Sequence, residues 1–242
     1  MMLLIDIGNT NTVCALYDRD NYITIKRINL DDDPNQILSL LLNYNIISVA
    51  ISSVVPTLTK IYTQTIKKIF NIIPFIISYK NANLKLAVES AKEVGNDRIC
   101  NAKAAISLTQ KNCIIVDFGT ATTYDVINKN GEFLGGAIAP GIDVSAEHLI
   151  KKAALLNDAV LEFPKKIIGK NTKTNIQSGV MYSAIYSIEG MIKNINEELE
   201  IESHVILTGG FSKLISPKLS FEHNLESNLT LEGIRLIYEE NK

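Results

Sequence analysis

Residues 3–18 read LLIDIGNTNTVCALYD, and residues 114–128 read IIVDFGTATTYDVIN. Each is an aliphatic run that ends in an aspartate, followed by one apolar residue, a glycine and a cluster of threonine with asparagine or alanine. A second apolar stretch comes next, so each segment reads as strand, turn, strand. Both then meet another polar turn, residues 18–21 or 128–131, and a further strand, YITIKRI or EFLGGAIAPG. The copies are too far apart for a solenoid repeat. They read as the openings of two related domains, residues 1–112 and 113–242.

Between these openings, strand and helix patterns alternate. Residues 34–44, 57–70 and 97–110 have helical spacing, and IISVAISSV and PFIIS read as buried strands. In the second half, 143–156 and 175–199 read as helices, the longer with Ile176, Val180, Ala184, Ile188, Met191, Ile195 and Leu199 on one stripe. HVILTGGFSKLI is strand, glycine turn and helix, and 230–240 is a last amphipathic helix. Such alternation predicts an α/β fold.

Composition narrows the function classes. The 242 residues are 46% hydrophobic and 21% charged, with 24 basic against 26 acidic side chains, which is ordinary for a soluble globular chain and argues against nucleic acid as a partner. Cys14, Cys100 and Cys113 form no C-x-x-C pair, and the three histidines have no H-E-x-x-H spacing. Reduced thiols suit a cytoplasmic location. The N-terminal apolar run lacks a basic flank and is interrupted by Asp6, so it does not read as a signal peptide. No apolar run is long enough to span a bilayer.

A strand that keeps Asp6 beside a turn of Gly8, Asn9, Thr10, Asn11 and Thr12 suits a phosphate with its cation. The turn aims backbone N–H groups and hydroxyls at one point, and the glycine lets backbone approach a ligand. Asp-x-Gly alone is also plain hairpin chemistry. Two copies that face each other would line one cleft, where a triphosphate and its metal fit. Gly209 and Gly210, after a strand ending in Thr208, offer bare backbone to a flat ligand. In EVGNDRICNAKAA, Asp97 lies in the first turn of a helix, where a carboxylate is stabilised by unpaired N–H groups. The same position suits a general base for a substrate hydroxyl, with Arg98 near an anionic group. Thr172 and Thr174 precede the long helix, with capping the plain reading for at least one. Gly179, Ser183, Ser187 and Gly190 either leave room on that helix for another, such as a symmetric partner's, or form a solvated face, and GGAIAPGI at 135–142 reads as a glycine-rich turn in a pocket wall.

DIGNTNT and DFGTATTYD, with TGG downstream, resemble the ATPase core shared by acetate and sugar kinases, heat-shock chaperone ATPases and actin. Within that core, GNDR, DFGTATT, GGAIAPG, GKNT…QSG and LTLEGI together closely resemble type III pantothenate kinase, from Leu3 to about Tyr238. The resemblance implies two ribonuclease-H-like, actin-like ATPase domains with an ATP cleft between them. It implies ATP-dependent phosphorylation of pantothenate, the first step towards coenzyme A, by a cytoplasmic homodimer using Mg²⁺ and a monovalent cation, K⁺ or NH₄⁺. Carried over residue by residue, Asp6, Ile7, Gly8, Asn9, Thr10, Asn11, Thr12, Val13 and Thr120 bind ATP. Asp97 is the proton acceptor, Gly95, Asn96, Asp97, Arg98 and Thr172 meet pantothenate, and Asp117 holds the monovalent cation. The residues by themselves leave Asp6 and Asp117 open as that cation's site.

Val88 and Ala91 stand in a segment where the family often has a tyrosine and a proline, and Asn96 replaces a commoner small residue. Two other functions share such a core: a phosphohydrolase using water, and a non-catalytic regulator. The first needs no hydroxyl-substrate pocket, against Asp97, Arg98 and Thr172; the second would show a degraded acid site or a basic surface.

Overall fold

The computed structural model describes residues 1–152 and 160–242. Its strands and helices are β1 (Met2–Ile7), β2 (Asn11–Asp18), β3 (Asn21–Asn29), α1 (Pro34–Ser39), β4 (Ser48–Ser53), α2 (Pro56–Phe70), β5 (Phe75–Ile76), β6 (Lys85–Leu86) and α3 (Asn96–Thr109). There follow β7 (Cys113–Phe118), β8 (Ala121–Ile127), β9 (Glu132–Pro140), α4 (Ile142–Lys152), α5 (Thr172–Leu199), β10 (His204–Gly209), α6 (Ser212–Ile215), β11 (Asn224–Leu225) and α7 (Leu229–Glu240). The contacts gather these into two units, one of residues 1–110, 131–133 and 228–242, the other of 111–130 and 134–227.

The first unit is built on a five-stranded sheet in the order β3-β2-β1-β4-β5. β1 runs antiparallel to β2 and parallel to β4, and β4 is buried on both faces, as a central parallel strand must be. One face carries Leu3, Ile5, Ile7 and Ile51 against Leu38 of α1 and Tyr62 and Ile66 of α2. Leu4, Ala15 and Ala50 occupy the other, under Ile99 and Cys100 of α3 and Ile234 and Ile237 of α7. α7 approaches α3 closely because residue 233 is glycine: a Cβ there would stand 1.9 Å from the Cys100 carbonyl oxygen.

The second unit repeats the arrangement. Its strands lie in the order β11-β10-β7-β8-β9, with β7 antiparallel to β8 and parallel to β10. Val116, Phe118, Tyr124 and Leu207 face Met181, Ile185 and Ile188 of α5.

Four expectations need correction. α1 ends at Ser39 rather than running to residue 44, because from Leu40 on the backbone N–H groups reach carbonyls three residues back, Leu40 to Ile37, Leu41 to Leu38 and Leu42 to Ser39, and the chain continues as turns. The stripe of α5 that enters the core runs through Met181, Ile185, Ile188 and Ile192, while Val180, Ala184, Met191 and Ile195 flank it. Gly135 and Gly136 belong to β9 and not to a turn; at Gly136 a Cβ would collide with the Tyr124 carbonyl of the neighbouring strand, at 1.8 Å. α5 starts at Thr172, capped by Asn171, whose Oδ1 accepts from Thr174 N at 2.8 Å while Thr174 Oγ1 accepts from Asn171 N at 3.2 Å. Of the helix expected over 143–156, residues 153–156 lie outside the described residues.

Candidate active site

The two acids of the repeat occupy the same place in the two sheets. Asp6 is the penultimate residue of β1, opposite Val13 of β2 and Ser52 of β4. Asp117 is the penultimate residue of β7, opposite Thr123 of β8 and Thr208 of β10. Beyond each acid the chain turns back at its glycine, Gly8 N donating to Asn11 O and Gly119 N to Ala121 O, both at 3.0 Å, the first turn being one residue longer. The neighbouring parallel strand then locks on, Val54 N donating to Ile7 O at 3.1 Å and Gly210 N to Phe118 O at 2.9 Å. Both acids are half-buried, and both turn tips, Asn9–Thr10 and Gly119–Thr120, are exposed.

Within Asp6–Val13 the side chains divide. Ile7 and Thr12 are buried, with the Thr12 hydroxyl against Tyr62, so they meet a ligand only through backbone. Asn9 and Thr10 project from the tip. In the second unit, Gly209 has φ of +86°, a left-handed conformation suited to glycine, and a Cβ there would stand 2.4 Å from Asp117 Oδ1. Gly141 N donates to Thr120 O at 3.1 Å, which ties the end of β9 to the second turn.

The segment Gly95–Arg98 forms the first turn of α3, and the first unit brings it beside the Asp6 strand. Asn96 Nδ2 donates to Ser53 O at 2.9 Å, one residue from the Val54–Ile7 bond. Asp97 Oδ1 accepts from Arg98 N at 2.8 Å and lies over Gly95, where a Cβ would come within 2.4 Å of it. Burial pushes the Asp97 carboxyl above its ordinary value, against the lowering pull of the Arg98 N–H and guanidinium. A raised carboxyl is a better proton acceptor than an exposed one. The Arg98 guanidinium carbon lies 5.4 Å from the centre of the Phe133 ring, a cation–π contact that orients it. Cys100, one turn on, is held protonated by burial and by the nearby charges of Asp6 and Asp97.

Thr172 is exposed at the start of α5, and Asn171 supplies the cap, leaving the Thr172 hydroxyl out of it. It lines a cavity of about 480 Å³ with Ser145, Asn175 and Ser183. A second cavity, about 550 Å³, opens beside the Asp97 turn and is lined by Ser53, Thr59, Lys60, Thr63 and Asn96.

Sequence reading passed over Ser52 and Ser53. Both are buried at the end of β4; Ser52 Oγ lies beside the Cys100 thiol and meets no hydrogen-bond partner of ordinary geometry among the described residues. The signal was present: a strand apolar through Val49–Ile51 that ends in two hydroxyls, as β1 ends in an acid. No group of three or more His, Cys, Asp or Glu side chains gathers as a metal cage among the described residues.

Comparison with known proteins accords with this layout. The family model of type III pantothenate kinase matches residues 2–194. A type III pantothenate kinase of Moorella thermoacetica is 39% identical over 253 aligned residues, covering the whole of both chains. Among solved structures, a protein of Campylobacter jejuni assigned to the Baf family of transcriptional activators superposes with a TM-score of 0.63 at 21% identity, over 99% of this chain and 98% of that one. Component A of the (R)-2-hydroxyglutaryl-CoA dehydratase of Acidaminococcus fermentans gives 0.55 at 14% identity, over 100% and 99%. At these identities the likeness is one of fold, that of the actin-like ATPases.

Proposed function

The chain belongs to the type III pantothenate kinase family, and from that premise we propose how its residues share the work. The reaction is ATP-dependent phosphorylation of pantothenate, which opens coenzyme A biosynthesis. The substrate's primary hydroxyl oxygen attacks the γ-phosphorus, the bond to the β–γ bridging oxygen breaks, and ADP departs. Asp97 accepts the hydroxyl proton as the new bond forms. One observation carries this assignment: the half-buried Asp97 carboxyl lies on a turn tied by Asn96 to the strand next to Asp6. Arg98, held over Phe133, and Thr172 at the head of α5 take the polar groups of pantothenate, with the backbone of Gly95 and Asn96 completing the turn around it while the Asn96 side chain is engaged with Ser53 O.

Asp6 and the backbone of Ile7–Val13 hold the ATP phosphates in the first unit, and Thr120 holds ATP in the second. A carboxylate, a neighbouring buried hydroxyl at Ser52 and no protein cage among the described residues suit Mg²⁺, which keeps water and takes substrate phosphates as ligands. That ion neutralises charge on the transferring phosphoryl group. The larger monovalent cation goes to Asp117, which has threonines, Thr123 and Thr208, as register neighbours on both sides; Asp6 has Val13 on one. The two-domain division at 1–112 and 113–242 belongs to this reading, although by contacts residues 228–242, which hold α7, gather with the first unit.

A cytoplasmic homodimer completes the proposal. Ile138, Leu149, Ile167, Ile168 and Tyr186 of the second unit are exposed, and nothing lies within 4 Å of a Cβ built at Gly179 or Gly190. No described helix is long and apolar enough to cross a membrane. The test is phosphorylation of pantothenate by ATP in K⁺, NH₄⁺ or Na⁺ alone. Phosphopantothenate formed with K⁺ or NH₄⁺ and little with Na⁺ is the expected result. Equal rates in all three would remove the cation from Asp117.

A further inference from the structure

We propose that Asn96 is a positioning residue for the proton acceptor, a strut that holds the Asp97 turn against the end of β4. The proposal rests on the kinase reading and adds a role for the Asn96 side chain.

The need for a strut follows from how α3 begins. Its N-cap is Gly95, which has no side chain to accept from the first N–H groups, so the turn lacks the usual capping hydrogen bond. The Asp97 carboxylate serves that end instead, its Oδ1 accepting from Arg98 N at 2.8 Å. A helix start capped by its own proton acceptor has no independent anchor there, and the cap is disturbed whenever the carboxylate moves or takes a proton. The residue meant to receive a proton sits on it.

The carbonyl that Asn96 reaches is available for a physical reason. β4 pairs with β5 only through Ala50 and Ile51, so Ser53 lies past the end of that ladder. Its carbonyl is in a buried residue and needs a partner, and Asn96 Nδ2 supplies one at 2.9 Å. Ser53 is itself rigid. Its Oγ accepts from Val55 N at 3.0 Å and from Thr59 Oγ1 at 2.7 Å. Val54 N, the next donor, is bonded to Ile7 O at 3.1 Å. The chain of bonds therefore runs from the Asp97 turn to the residue that follows Asp6, so proton acceptor and phosphate turn keep one spacing. Asn96 and Ser53 also line the cavity beside the turn, so water can enter and satisfy Ser53 when the amide is removed. The variant is expected to fold.

The test is Asn96→Ala, with Asn96→Asp as a near-isosteric variant that lacks the donor. Steady-state kinetics and hydrogen exchange of the Arg98 and Ile99 amides are measured on each full-length protein. The strut predicts a fall in kcat of about tenfold or more, since small misplacements of reacting groups cost that much. KM for ATP and for pantothenate should stay within about twofold of wild type, and both amides should exchange faster. A raised KM for pantothenate at unchanged kcat would make Asn96 a direct substrate contact and overturn the proposal. Unchanged kinetics would overturn it as well, and so would full activity in Asn96→Asp if the alanine variant failed to fold. A wild-type enzyme that does not phosphorylate pantothenate would instead sink the kinase reading.

Discussion

Asp97 shows how one residue trades stability for chemistry. Its carboxyl is half-buried, and the loss of hydration raises its pKa in the folded chain above the ordinary value of about 4. In the pH range between those two values the folded state holds more protons than the unfolded one. Stability therefore falls as pH rises through that range, and the loss is complete above it. Asp97→Asn keeps the Oδ1 acceptor for Arg98 N and carries no charge. It should melt higher than wild type at pH 7, with the gain disappearing below the ordinary carboxylate range, as calorimetry across pH would show. Its kcat should fall at least ~10²-fold with ATP affinity retained, the lower end of a general base's contribution. Near-normal turnover would remove Asp97 from the proton transfer. At Asp117 the readout is different: Asp117→Asn should abolish the difference between K⁺ and Na⁺ in nucleotide affinity, measured by calorimetric titration without turnover.

At the scale of elements, two glycines on neighbouring helices separate folding from function. At Gly95 the atom in the way is the Asp97 carboxylate, the end of a side chain able to swing aside. Gly95→Ala should leave the melting temperature within a few degrees while kcat falls, because the carboxylate that moves is the proton acceptor. At Gly233 the obstacle is the Cys100 backbone, which moves only with α3. Gly233→Ala should cost on the order of 3 kcal/mol, the upper end of ordinary overpacking, and lower Tm by about 6–12 °C. Thermal melts of the two variants beside their kinetics check both statements; equal loss of stability would refute the contrast.

For the whole molecule, the telling feature is where helix α7 goes: residues 228–242 return to the first unit. Leu231, Ile234 and Ile237 are buried there against Leu4, Ala50 and Cys100. Arg235 bridges Glu232 and Glu239 and lies 5.2 Å from the Tyr17 ring centre, joining the helix to β2. Ending the chain at residue 227 should expose that face, raise binding of a hydrophobic dye and collapse the soluble yield. Recovery of a folded, active protein from that truncation would show that the face does not depend on α7. The exposed apolar side chains of the second unit predict a mass twice that of one chain by light scattering, and a monomer at micromolar concentration would dismiss the homodimer.

The sequence by itself determined the repeat and most of its chemistry. A buried strand rejects a carboxylate and a turn needs glycine, so DIGNT and DFGTA stood out without any partner in view. Burial patterns along β1 and β7 are identical, as the repeated spelling requires. Asp97 at a helix start was equally plain, because caps and first turns are local. Tertiary structure decided the rest. Whether GGAIAPG is a turn or a strand depends on what lies across from Gly136, and that is Tyr124, twelve residues away in sequence but adjacent in the sheet. The face of α5 that meets the core, the unit covered by α7 and the bond from Asn96 to Ser53 are likewise long-range matters. They turn on the shape of a surface that exists only once the strands are paired, and periodicity along the chain carries no record of it.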